Sequence, residues 1–139
     1  MPDYIDTPVI TTAAALRAVN AALEIGAERG IKVMVTIVDP SLNLVAFARA
    51  DGATPHSVET SRRKATTAAS TRKPSGSWEG DFAWQAPLGT DLKLTNIAGG
   101  VPIAFGGVLI GGLGVAGGPP ADDAGIARAV LVAIGADAV

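Results

Sequence analysis

Nine of the twenty residues from Gly99 to Gly118 are glycine, in the run GGVPIAFGGVLIGGLGVAGG. Glycine loses more conformational freedom on folding than any other residue, so each one needs a turn or a close approach to justify it. Two readings of the run compete. The segment Gly112-Leu-Gly114-Val-Ala-Gly117 is formally G-x-G-x-x-G, the loop that cradles a dinucleotide pyrophosphate. That loop must open a helix and lead on to a second strand. Here Gly118-Pro119-Pro120 follows directly, and too few residues remain for a helix and a strand. Asp137 has roughly the spacing of the ribose-binding acid but sits at the C-terminus.

The hairpin reading meets no such obstacle. Val101–Phe105 and Val108–Val115 are apolar runs separated by Gly106-Gly107. A two-residue Gly-Gly loop supplies the positive φ that tight hairpins need. Gly111, Gly112 and Gly114 then mark a bulge or the close approach of another backbone or a ligand. Pro102 fits near the start of an edge strand.

The rest of the chain reads as alternating helices and hairpins. Thr11–Arg29 is an expected helix, with Leu16, Val19, Leu23 and Ala27 on one face, a threonine cap and Gly30 as its stop. Ile31–Val38 is a β-branched strand with Val33, Val35 and Ile37 on one side. The turn Asp39–Asn43 leads to a paired strand, Leu44–Arg49. A helix from about Pro55 to Thr71 follows, with Thr54 suited to the N-cap. Pro74–Thr95 is a long excursion holding both tryptophans and at most a short helix. Ala121–Gly135 is the closing helix, with Ile126, Ala129, Val130 and Ala133 aligned. Antiparallel hairpins with helices between them predict an α+β sandwich in one domain, residues 1–139.

Composition excludes several functions. With 48% hydrophobic and only 4% aromatic residues, Ala, Val, Leu and Ile must build the interior, and so apolar a small chain is expected to hide surface in a homo-oligomer. A net charge of −2 argues against nucleic acid as a partner. The absence of cysteine removes disulfides, thiolate ligands and thiol nucleophiles. The N-terminal sequence MPDYIDTPVI has neither a basic leader region nor a long apolar core, so no membrane partner and a cytoplasmic location are expected.

Chemistry concentrates between Arg49 and Lys73. Six basic residues (Arg49, Arg62, Arg63, Lys64, Arg72, Lys73) face two acidic ones (Asp51, Glu59), a local charge of +4 in an acidic chain. Such a concentration suggests an anionic ligand, although a solvated helix face with a Glu59–Arg63 pair accounts for it equally well. His56 is the only histidine. In the first turn of its helix the dipole disfavours imidazolium, leaving the neutral ring that a metal or haem iron takes. The same face carries Glu59, Thr60, Arg63 and Thr67. One histidine without cysteine does not make a tetrahedral zinc site. Ser57 adjoins His56 and cannot face it, and no G-x-S-x-G elbow is present.

Three motifs together carry a resemblance. VTIVDPSLNLVAFARADG, then SVETSRRKATTAA, then the glycine-rich run with its acidic helix start at Asp122-Asp123 are similar to the GlcG/HbpS family of haem-binding proteins. The same domain closes PduO-type adenosyltransferases. The resemblance spans roughly 100 residues. Its D-G turn is Asp51-Gly52, its helix motif runs from Ser57 to Lys64-Ala65, and its G-G-x-P-(L/I) segment is Gly99–Ile103. It implies a five-stranded antiparallel sheet flanked by helices, similar to profilin or PAS-like domains, usually oligomeric, with haem as the ligand. His56 would be the axial and only metal ligand, and Arg63, Lys64 and Arg49 would meet propionates. The family also accompanies catabolic operons, which keeps open a cofactor-independent enzyme acting on a small carboxylate or an aromatic-derived acid, with His56 as acid or base, Asp51 or Glu59 orienting it and Arg63 or Lys64 holding the substrate carboxylate. A structural module without chemistry is the third reading. Leu42 departs from the family, which often has glycine there; Asn43 beside it tolerates the left-handed conformation. Ser61 replaces a common alanine, and the stretch with Trp78, Phe82 and Trp84 follows no family pattern.

Overall fold

The computed structural model describes residues 1–139. Its elements are α1 (Thr12–Glu28), β1 (Met34–Val38), β2 (Leu44–Arg49), α2 (Ser57–Thr71), α3 (Phe82–Gly89), β3 (Gly100–Phe105), β4 (Val108–Ala116) and α4 (Pro120–Ala133). The four strands form one antiparallel sheet in the order β2-β1-β4-β3. The expected fifth strand is absent. The segment before α1 is tied to the sheet through Ile10, whose N–H donates to the Ile110 carbonyl at 2.9 Å. Pro2 and Pro8 lack the N–H groups that a ladder needs. No helix is long and apolar enough to cross a membrane.

Helices cover both faces of the sheet, giving the expected α-β-α layering. On one face Val33, Val35, Ile37, Val101, Ile103, Leu113 and Val115 join Ile126, Val130 and Leu131 of α4 and the alanines of α1 in one aliphatic core. The buried face of α1 is Ala15, Ala18, Val19 and Ala22, while Leu16, expected inside, stays half exposed. Small residues let the helix lie close to a sheet that already projects valine and isoleucine. In α4 the buried stripe is Ile126, Ala127, Val130 and Leu131; Ala133 is exposed.

The other face belongs to α2, and glycine makes its approach possible. A Cβ on Gly114 would collide with the Ser61 carbonyl oxygen, one on Gly112 with that of Ala65, and one on Gly100 with that of Lys64. The helix backbone therefore rests on the strands themselves. The irregularity in β4 lies elsewhere: Ile103 pairs with Gly111 and Ala104 with Leu109, which leaves Ile110 as the extra residue.

The turns follow local chemistry. Gly106 and Gly107 both have positive φ, 57° and 80°, as the hairpin requires. Asp137, formally the ribose acid of the rejected dinucleotide reading, accepts from both of their N–H groups at 2.9 and 2.7 Å. In the first hairpin the Asp39 carboxylate accepts from the N–H groups of Ser41 and Asn43. Leu42 itself takes the left-handed conformation, φ 71°, where Asn43 was the better-suited residue. Packing of Leu42 against Val38, Ala65 and Ala69 offsets the strain.

Candidate functional site

Ser57 opens α2, and His56 occupies the N-cap position just outside the first turn expected for it. Thr54 does not cap a backbone N–H; its hydroxyl bonds the Ser57 hydroxyl at 2.6 Å, while the Ser57 N–H donates to the Thr54 carbonyl. The imidazole makes no capping hydrogen bond and is exposed. It stands on the rim of a cleft of about 220 Å³ between the start of α2 and the start of α4. Thr60 shares that rim, and Gly117 and Gly118 form the opposite wall.

Beneath the rim lies a buried ion pair. Lys64 Nζ donates to Asp123 Oδ2 and to the Val115 carbonyl, both at 2.9 Å. Both side chains are 1% exposed. Asp123 Oδ1 accepts from the Gly118 N–H at 3.0 Å, so the carboxylate also ties down the chain entering α4. Three elements, α2, β4 and α4, are joined at this point. Burial pushes the lysine pKa below its ordinary value, against the pull of Asp123, and pushes the aspartate above its own, against the pull of Lys64. Desolvation thus outweighs pairing for both partners, the usual balance for ions taken out of water.

The structure brings together two of the expected site residues and separates the others. His56 and Lys64 line one cleft. Glu59 turns away to Arg62, 2.5 Å from its Nη2, and lies 3.8 Å from Arg63. The guanidinium of Arg62, with Arg63 beside it, holds the Glu59 carboxyl below its ordinary pKa, mainly through the Arg62 hydrogen bond. Arg49 and Asp51 are exposed on and after β2, outside this cleft. The +4 segment is therefore not one patch, because Lys64 is neutralised by Asp123 and Arg62 and Arg63 share Glu59.

Asp123 is the member that sequence reasoning missed. It showed only as half of an acidic helix start, which the dipole of α4 explains without a partner. The second polar device in this layer is the 2.7 Å bond between the Thr36 and Ser61 hydroxyls, so the serine at the family's alanine position has a buried partner. The aromatic excursion is ordered by Asn96, whose side chain accepts from the Trp78 N–H and donates to the Trp78 carbonyl. Trp78 and Phe82 meet edge to face at 5.1 Å.

Comparisons with known proteins agree with this architecture. HbpS, known from a crystal structure, is 34% identical over 94% of this chain and 93% of its own, and superposes with a TM-score of 0.84. A doubly substituted Streptomyces reticuli HbpS is 32% identical over 95% of this chain and 91% of its own, TM-score 0.84. A PduOC–haem complex is 25% identical over 94% and 98%, TM-score 0.85. Among curated proteins none matches significantly. Residues 10–132 match the family described as haem degrading protein HbpS-like, and the chain belongs to that family.

Proposed function

We propose that this chain is a homo-oligomeric small-molecule-binding protein of the HbpS type whose ligand is haem or a similarly flat anion. The observation that carries the reading is the exposed imidazole of His56 on the rim of a cleft, in a chain whose relative PduOC was solved with haem. The residues fit such a group at the mouth of the cleft. At about 220 Å³ the cleft falls below the usual several hundred Å³ of an enclosing site, so a macrocycle would lie across it. His56 would hold the iron, and Ile97, Ala116 and Pro120 offer apolar contact beside it. Of the residues expected at the propionates only Lys64 lines the cleft, and it would have to leave Asp123; Arg63 shares Glu59, and Arg49, free of carboxylate partners, lies outside the lining. Bound haem would supply a redox-active iron. Leu44, Phe47 and Val58, exposed together at the edge strand β2, support a second copy of the chain as a partner.

A haemin titration followed by absorbance tests the reading, with the intact protein beside His56→Ala. A Soret shift saturating at one equivalent per chain and lost in the variant is the expected result. A signal indifferent to the substitution removes His56 as ligand, and no Soret band removes haem. The second reading, an acid–base enzyme on a small carboxylate, is favoured by the Lys64–Asp123 pair, since oppositely perturbed groups in a cleft are a common mark of catalysis. Without a Soret band, carboxylates that raise the melting temperature become the candidates.

A further inference from the structure

A second cleft, of about 320 Å³, shares no lining residue with the first. It lies between the loop Pro74–Ser77, the segment Ala98–Val101 and the first turns of α4. We propose that it binds the oxyanion head, phosphate or carboxylate, of a small molecule.

The walls are rich in unused donors. The backbone N–H groups of Gly76, Ser77, Ala98, Gly99 and Ala121 find no acceptor within the chain. Gly99 is buried, and a buried N–H without a partner is rare in folded proteins unless water or a ligand meets it. The loop is fixed before any ligand arrives. Ser75 donates its N–H to the Gly100 carbonyl, accepts the Gly100 N–H on its hydroxyl, and donates that hydroxyl to the Ile97 carbonyl. Gly76 has φ 98°, and a Cβ there would come within 2.8 Å of Ala98, so only glycine brings the two walls this close.

The charge is of the matching sign. Arg128 lines the cleft and pairs with no carboxylate, and no acidic residue lines it. Ala121, Ala124 and Arg128 fall on one face of α4 at helical spacing, so two short side chains leave the guanidinium room to act. Asp122 is exposed on the same helix turn but outside the lining. Main-chain donors at glycine turns and a helix start are the usual cradle of an oxyanion, and an arginine fork completes it.

Amide-resolved NMR titrations with inorganic phosphate, and separately with acetate, test this at low ionic strength. Saturable shifts confined to the amides of Gly76, Ser77, Ala98, Gly99 and Ala121 are expected. Arg128→Gln should weaken binding at least tenfold, and Arg17→Gln, an exposed arginine on α1, should not. Phosphate binding tighter than acetate identifies a phosphate-headed ligand; the reverse identifies a carboxylate-headed one. No saturable shift with either anion overturns the proposal, as do shifts that Arg128→Gln leaves unaltered. The Soret titration reads His56 alone, so the two proposals fail separately.

Discussion

The two faces of the sheet are built on different principles. Toward α1 and α4 the strands project Val35, Ile37, Val101, Ile103, Leu113 and Val115, and the layer holds by aliphatic area. Toward α2 the same strands offer glycine, and the layer holds by fit and by buried polar pairs: Thr36 with Ser61, and Lys64 with Asp123. Area is forgiving, because a lost methyl group costs about 1 kcal/mol and the neighbours relax. Fit is not, because a carbonyl pressed against a Cα has nowhere to go. The cleft with His56 opens on the second kind of face, where the helix start, the glycine walls and the ion pair meet.

The largest expected effect separates the two principles most sharply. Lys64→Met should cost about 3–5 kcal/mol in chemical denaturation, since it leaves the buried Asp123 without its cation. Lys64→Met combined with Asp123→Leu should recover most of that loss, because an apolar pair of similar volume avoids the desolvation of both ions. A double variant as unstable as the single one would show that the Gly118 and Val115 bonds matter more than the charges. Next in size, Gly114→Ala should cost about 3 kcal/mol by driving a methyl into the Ser61 carbonyl. Its neighbour Val115→Ala, on the aliphatic face, loses two methyl groups and should cost about 2 kcal/mol. If adding one carbon proves cheaper than removing two, the contrast between the faces fails.

What the sequence disclosed follows the range of the interaction. The Gly106-Gly107 turn was legible because positive φ is a property of two residues. Helices α1, α2 and α4 were legible to within about two residues from caps and periodicity. The buried stripes were less so: periodicity says that a face exists, but whether Leu16 or Ala15 points inward depends on how close the sheet lies. Lys64 and Asp123 stand 59 positions apart, and only the crossing of α2 over β4 brings them together. Lysine and aspartate also read as surface residues by default, so no local signal marked the two as a buried pair. The charge count of Arg49–Lys73 left its two readings open for the same reason, since it could not see which cations would be paired. Leu42 shows the limit at a turn, where tertiary packing overrode the preference of Asn43 for the left-handed conformation.

The smallest expected effect is a pH dependence confined to the α2 face. Burial raises the Asp123 pKa in the folded protein above its unfolded value. Below the ordinary carboxylate pKa of about 4 both states carry the proton, and the residue is neutral to stability. As pH rises past that point the unfolded chain ionises first, so folding grows less favourable until the folded aspartate has titrated as well. Lys64, held below its ordinary pKa, acts in the opposite sense at alkaline pH: its penalty is absent above the unfolded lysine pKa, sets in as pH falls below that value and is complete once pH lies below the folded one. At neutral pH both groups are thus on the unfavourable side of their titrations. Denaturation curves of the wild type and of the Lys64→Met, Asp123→Leu double variant, compared from pH 4 to pH 7, isolate the effect, because the aliphatic face has nothing to titrate. The wild type should lose stability relative to the double variant across that window. A constant difference would mean that the pair keeps its ordinary pKa values, and that the polar layer holds its ions without the strain that desolvation implies.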